Sequence, residues 1–323
     1  MAEAGTFTVH VSNDLLRKGL VVHGVWHWNL ADTPRILQVI CSCGTLLDKM
    51  ITRWKRHPIA LLALLYLSVV AVMALFAPVI APYRYDAQDA AAVLQPPSAK
   101  HLLGTDELGR DVFSRLVYGA RVSLSVVVQV ELLEVLIGVT LGLLAGYFRG
   151  RWDVLIMRFT DMMFAFPDIL LAILIVAILG PGLHNVFIAL ALTGWPSLAR
   201  VVRSQTLSLR EREFVEAARA IGLSHTRIIV RHILPNLLPT IVVAVTVDSA
   251  GVVLAESALS FLGLGAQPPL PSWGRMIDDA RQLLRSDPLL LVYPAVLLSL
   301  TVMALNFLGD ALRDWWDPRR GVG

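Results

Sequence analysis

Six stretches of this sequence are apolar for long enough to cross a lipid bilayer, and no other feature narrows the fold as far. They run at about Pro58–Ile80, Val122–Tyr147, Met157–Leu179, Asn185–Val201, Asn236–Leu262 and Pro288–Leu308. A helix needs roughly 20 mainly apolar residues to span the hydrocarbon core. Charged residues make up only 16% of the chain, against about 25% in a soluble domain. The expected architecture is an all-α polytopic membrane protein with one membrane domain of six transmembrane helices. A net charge of +3 gives no reason to expect nucleic acid.

The basic residues orient that domain. Lys49, Arg53, Lys55 and Arg56 precede the first span, which places the N-terminus on the cytoplasmic side. With six spans, the segments on that side hold 20 of the 28 Lys and Arg. Both termini and the stretch between spans 4 and 5 are then cytoplasmic.

Residues 1–49 read as a poorly ordered cytoplasmic extension without a clear period, and Met50 is a candidate alternative start. The first 30 residues lack the apolar run of a cleavable signal peptide. His23, Trp26, His27 and Trp28, with Cys41 and Cys43, lack the C-x₂-C spacing of a structural zinc site. Two cysteines this close offer no disulfide framework. No metal and no cofactor is expected.

The most charged stretch runs from Arg210 to Pro239. Glu, Ala and Arg favour a helix over Glu211–Ile221. Gly222 stands where a left-handed cap is expected. Ser224 suits the N-cap of a second helix over His225–Ile233, and Pro235 marks the next break. The result is a basic two-helix elbow between two spans.

The spacing Glu216-Ala217-Ala218, Gly222, His232, Leu234-Pro235 resembles the EAA loop of ABC importer permeases, and His-x-Leu-Pro-Asn resembles their peptide and nickel branch. Three further segments are similar to that branch: Gly104–Asp111, Glu256–Gly265 and Asn306–Asp314 with Asp317-Pro318-Arg319. The resemblance covers about residues 50–320. It implies a type I ABC importer transmembrane domain, with the EAA loop docked in a groove of an ATPase subunit. Under it Glu216 orients the docked helix, Gly222 permits the bend, and Leu223 with its neighbours, Ser224 among them, fills the groove. It also implies a second homologous permease as heterodimer partner, two ABC ATPase subunits, an extracytoplasmic substrate-binding protein, and import of di- or oligopeptides. Nickel complexes are the sister possibility. The location implied is the inner membrane of a prokaryote.

Acidic residues inside the spans are the candidate pathway residues. Glu131 and Glu134, three apart, share one helix face. A carboxylate at the bilayer centre costs about 2.5–3.5 kcal/mol on insertion scales and normally faces protein or water. The two glutamates depart from the family pattern, and read equally as pathway lining or as a helix contact. Asp248 lies near the middle of span 5; Glu256, nearer the outer face, either touches substrate or holds loop structure. Asp161 is expected to pair with a nearby Arg, and Pro167 to break or kink span 3. Trp273 is expected as an interfacial anchor, and residues 82–121 as a loop and short helix against the outer face.

The chain has no Gly-Lys pair and so no Walker A motif, and it shows no catalytic triad. It is not expected to be an enzyme; the energy source lies on a partner. The rival of another class is an ion-coupled secondary transporter using the intramembrane acids as a relay. That reading expects inverted repeats and leaves the elbow unexplained.

Overall fold

The computed structural model describes residues 58–316. The readings of residues 1–49, of the basic flank before Pro58, and of Asp317-Pro318-Arg319 fall outside them. The described residues form helices and connecting loops, with a single isolated β-bridge between Thr105 and Asp111. Five helices are long and apolar enough to cross a membrane, or six if one bent pair counts as a span.

The first is α1 (Pro58–Leu75), which ends in a kink before the short α2 (Ala77–Ile80). A folded loop leads to α3 (Val112–Phe148), 37 residues long. At 1.5 Å per residue α3 measures about 55 Å, well beyond the roughly 30 Å hydrocarbon core. Residues 112–121, read from sequence as polar connection, are its first turns. Their polar side chains have partners that a sequence pattern cannot supply. Asp111 caps the helix, accepting from the Ser114 N–H at 2.8 Å and its hydroxyl at 2.7 Å. Arg115 reaches Asp106 at 3.3 Å and Asp279 at 3.6 Å.

The expected third span is two helices, α4 (Gly150–Met163) and α5 (Asp168–Leu179), bent by 85° at a break that ends on Pro167. Asp168 follows in the first turn of α5, where an acidic side chain suits the helix dipole. A tight turn through Gly180 and Gly182 leads to α6 (Leu183–Leu209). The elbow contains α7 (Glu213–Ala220) and α8 (His225–Ile228). Then come α9 (Leu234–Phe261), α10 (Trp273–Arg281) and α11 (Leu289–Trp316).

Pro235 does not break the chain. A π turn over Ile229–Ile233 joins α8 to α9, and Pro235 sits in the first turn of α9. Its missing N–H falls where the hydrogen-bond register changes and none is required.

The tightest packing joins α3 to α6. Gly138, Gly142 and Gly146 recur every four residues on α3. A side chain there would meet the Trp195 carbonyl at 3.0 Å, the Ala199 carbonyl at 2.7 Å and Thr206 Cβ at 2.6 Å. Without a hydrophobic driving force in lipid, such small residues let backbones approach and gain dispersion contact. Apolar clusters then fill three levels. One at the loop end includes Val112, Leu116, Trp273 and Leu290; one at mid-depth includes Val130, Val176 and Val253; one at the elbow end includes Tyr147, Val202, Val215 and Ile228.

Trp273 corrects a second expectation. It is fully buried at the start of α10, against Gly119 of α3. Its indole N–H donates to the Leu116 carbonyl at 3.2 Å, so the ring needs no water interface.

Candidate functional site

Most of the candidate residues fall in two places: the elbow at one end of the bundle and an acidic cleft at mid-depth.

The elbow is held in shape by a Schellman cap. The Leu223 N–H donates to the Ala218 carbonyl at 3.1 Å and the Gly222 N–H to the Arg219 carbonyl at 2.9 Å. Gly222 has φ +77°, a left-handed conformation that a side chain disfavours. A Cβ on Gly222 would meet no atom within 4 Å, so the need for glycine there is conformational. Ser224 takes extended N-cap geometry ahead of α8, without a side-chain cap bond.

The cap sorts the surrounding side chains into two faces. Val215, Ala218, Ile228 and Ile233 are buried, and Leu223 and Leu234 pack half-buried against the same cluster. Glu216, Ala217, Ser224 and Pro235 are exposed, and His232 is half-buried. Leu223 therefore serves the inner face, while Ile221 is 76% exposed at the tip of the bend.

The elbow also grips α3. The Tyr147 hydroxyl lies 2.9 Å from His225 Nδ1, and the Tyr147 carbonyl accepts from Arg210 Nη1 at 2.5 Å. The Arg219 guanidinium stands 5.4 Å from the Tyr147 ring centroid. Arg149 pairs with Glu211 at 2.8 Å. Burial, and then the charges of Arg149 and Arg219, push the Arg210 guanidinium below its ordinary pKa, while Glu211 opposes them. Two further pairs brace α4 against α6: Arg203 with Asp153 at 2.5 Å and Arg200 with Asp161 at 2.6 Å.

The acidic cleft gathers three of the four acids read from the sequence. Glu131 and Glu134 of α3 and Asp248 of α9 bring carboxylate oxygens within 4.8 Å of one another. They line a cavity of about 80 Å³ with Ser197, Leu198, Val201, Ala244 and Val245. The Ser249 hydroxyl stands 2.8 Å from Glu131 Oε1. Gly194 of α6 packs on the Glu134 carboxylate, leaving no room for a side chain.

Glu256 is elsewhere. Its carboxylate is fully buried and accepts from Ser123 at 3.0 Å and Ser260 at 2.7 Å, with Ser257 at 3.5 Å and Ser272 also bonded. The Ser260 hydroxyl accepts in turn from the Ala266 N–H at 3.2 Å. Glu256 thus ties α3, α9 and the segment before α10.

Sequence reasoning passed over Tyr147, Ile221, Ser249 and the glycine stripe. Only the stripe had a usable signal, its spacing of four. The others are ordinary residues until the chain brings their partners to them.

Comparison with known proteins fits this geometry. Residues 138–322 match the family described as binding-protein-dependent transport system inner membrane component. Residues 45–97 match the N-terminal transmembrane domain of oligopeptide transport permease C. The dipeptide transport system permease protein DppC of Alkalihalophilus pseudofirmus is 47% identical over 266 residues, 82% of this chain and 87% of its own. The glutathione transport system permease protein GsiD of Escherichia coli is 47% identical over 270 residues, 83% of this chain and 88% of its own. A chain of the MetNI methionine ABC transporter, solved facing inward, superposes with a TM-score of 0.52. It covers 62% of this chain and 96% of its own at 21% identity, a likeness of fold alone.

Proposed function

The chain belongs to the family of binding-protein-dependent transport system inner membrane components, and we propose that within it this protein passes small peptides, di- and oligopeptides first among them. It is a multi-pass, non-catalytic permease subunit of an ABC importer, and ATP hydrolysis is the work of a separate subunit. The peptide substrate is supported by the relatives, one named for dipeptides and one for glutathione, itself a tripeptide. In this reading the chain forms half of the pathway beside a second homologous permease. Two ATPases sit on the elbow side and a substrate-binding protein on the other, with both termini cytoplasmic.

The observation that carries the proposal is the two-faced elbow. Its inner face is locked into the bundle, and its outer face offers Glu216, Ala217 and Ile221 around a bend whose left-handed cap favours Gly222. A surface rigidly attached at one face and free at the other is what a docking lever needs. In it Ile221 supplies the apolar plug and Glu216 the orienting charge. Glu131, Glu134 and Asp248 are the polar lining of this half of the pathway, complementary to the ammonium group that peptides share.

The test is co-purification from native membranes in mild detergent, with and without Gly222→Arg. ATPase subunits are expected with the wild type and not with the variant. Uptake of a labelled dipeptide, competed by glutathione, then ranks the two substrates. A wild-type chain that purifies alone and transports on an ion gradient without ATP would overturn the reading.

A further inference from the structure

The elbow is joined covalently to α6 and α9, so any force on it reaches those helices directly. It is not joined to α3, yet α3 carries two of the three carboxylates of the cleft. The elbow's hold on α3 is concentrated at the end of that helix, where Phe148 packs on His225, Arg149 just beyond pairs with Glu211, and Tyr147 is held on three sides. Tyr147, in the last turn of α3, is 4% exposed and touches three successive parts of the elbow. Its carbonyl receives Arg210, at the end of α6. Its ring lies beneath Arg219 of α7. Its hydroxyl meets His225, the first residue of α8, 78 positions away in sequence. One residue earlier, Gly146 brings α3 onto Thr206 of α6, so the grip closes on a seam already without slack.

We propose that Tyr147 is the positioning residue that ties α3 to the elbow, so that displacement of the elbow moves α3 as one body with α6 and α9. The inference rests on the docking role given above to the elbow. Its consequence is distance. Glu134 and Glu131 lie 13 and 16 residues back along the same helix, about 20 and 24 Å at the α-helical rise. Rigid elements of this kind carry coupling between separated sites. An elbow gripping only α6 and α9 would move Asp248 past the two glutamates. An elbow that also grips α3 moves the three carboxylates together.

The two cases are told apart by spectroscopy on the assembled complex. With Cys41 and Cys43 changed to Ser, spin labels are placed at the exposed Thr140 on α3 and Ala220 on α7. Their separation is measured without nucleotide and with the ATPases trapped on ATP. The expected result is one narrow distribution that does not shift between states. Tyr147→Phe, which keeps the ring and removes the hydroxyl, should broaden it. His225→Ala should do the same, and as His225 is exposed that variant does not burden folding. Each should lower labelled dipeptide carried per ATP by roughly 3- to 10-fold, the ratio one hydrogen bond sets. His225→Asn, which keeps a polar partner for the hydroxyl, should restore most of the loss. A wild-type separation that shifts on trapping overturns the proposal, as do two variants with the wild-type distribution and ratio. If no ATPase co-purifies with the wild type, it is the docking reading that has failed instead.

Discussion

Asp248 and Glu256 stand eight residues apart on α9, about 12 Å along its axis, and each faces polar side chains of α3. Around Glu256 the neighbours are serines, whose hydroxyls converge on a carboxylate fully shielded from solvent. Around Asp248 the neighbours are two more carboxylates, the Ser249 hydroxyl bonds one of them, Glu131, and a cavity lined also by Ser197 opens beside them. A buried acid surrounded by donors is held by its own hydrogen bonds. A half-buried acid beside two buried ones is far less well supplied with donors, and acids kept inside a membrane at that cost are expected to serve a pathway. Carboxylates on the same helix pair therefore serve structure at one level and, in our proposal, transport at another.

Glu256→Leu should break the comparison from the structural side with the largest effect. It strands several serine hydroxyls in an apolar site, at about 1–3 kcal/mol for each unsatisfied group. We expect little folded protein in the membrane and a large drop in thermal midpoint in detergent, whatever the substrate. The double variant Glu131→Leu with Glu134→Leu should do the reverse. It removes two groups that each cost about 2.5–3.5 kcal/mol at the bilayer centre. The thermal midpoint should hold or rise, while labelled peptide uptake falls at least about tenfold, ~1.4 kcal/mol. Normal uptake by that variant would end the pathway role of both glutamates.

Gly194→Ala is a smaller perturbation. Its methyl group meets the Glu134 carboxylate and must displace it, an overpacking that costs about 1–3 kcal/mol. Uptake should fall severalfold while the protein still accumulates in the membrane. The smallest effect is expected from Ser249→Ala, which removes one hydrogen bond to Glu131 worth about 0.5–1.5 kcal/mol. A change in uptake with no change in thermal midpoint would sharpen the division between the two sites; the opposite result would place Ser249 with the Glu256 cage.

The bend at Gly222 and the break before Asp168 were legible from the sequence because both are local. A left-handed cap needs glycine at one position, and a proline at 167 cannot continue the helix before it. Pro235 misled for the complementary reason. A proline stops a helix only where its N–H is required, and the π turn before it removed that requirement. Trp273 misled because an aromatic in a loop between two spans has two destinations. Only Gly119 across the bundle, with the Leu116 carbonyl, decides for the interior.

What the sequence determined by itself was the set of apolar segments and the capped elbow between two of them. Each rests on composition or chemistry within a few neighbouring residues. The tertiary structure decided which acids meet and which residue of α3 the elbow holds. Ser249 reaches Glu131 across 118 positions and His225 reaches Tyr147 across 78. Contacts over such separations leave no local pattern, because they are set by how the helices cross, and that depends on the whole packed bundle.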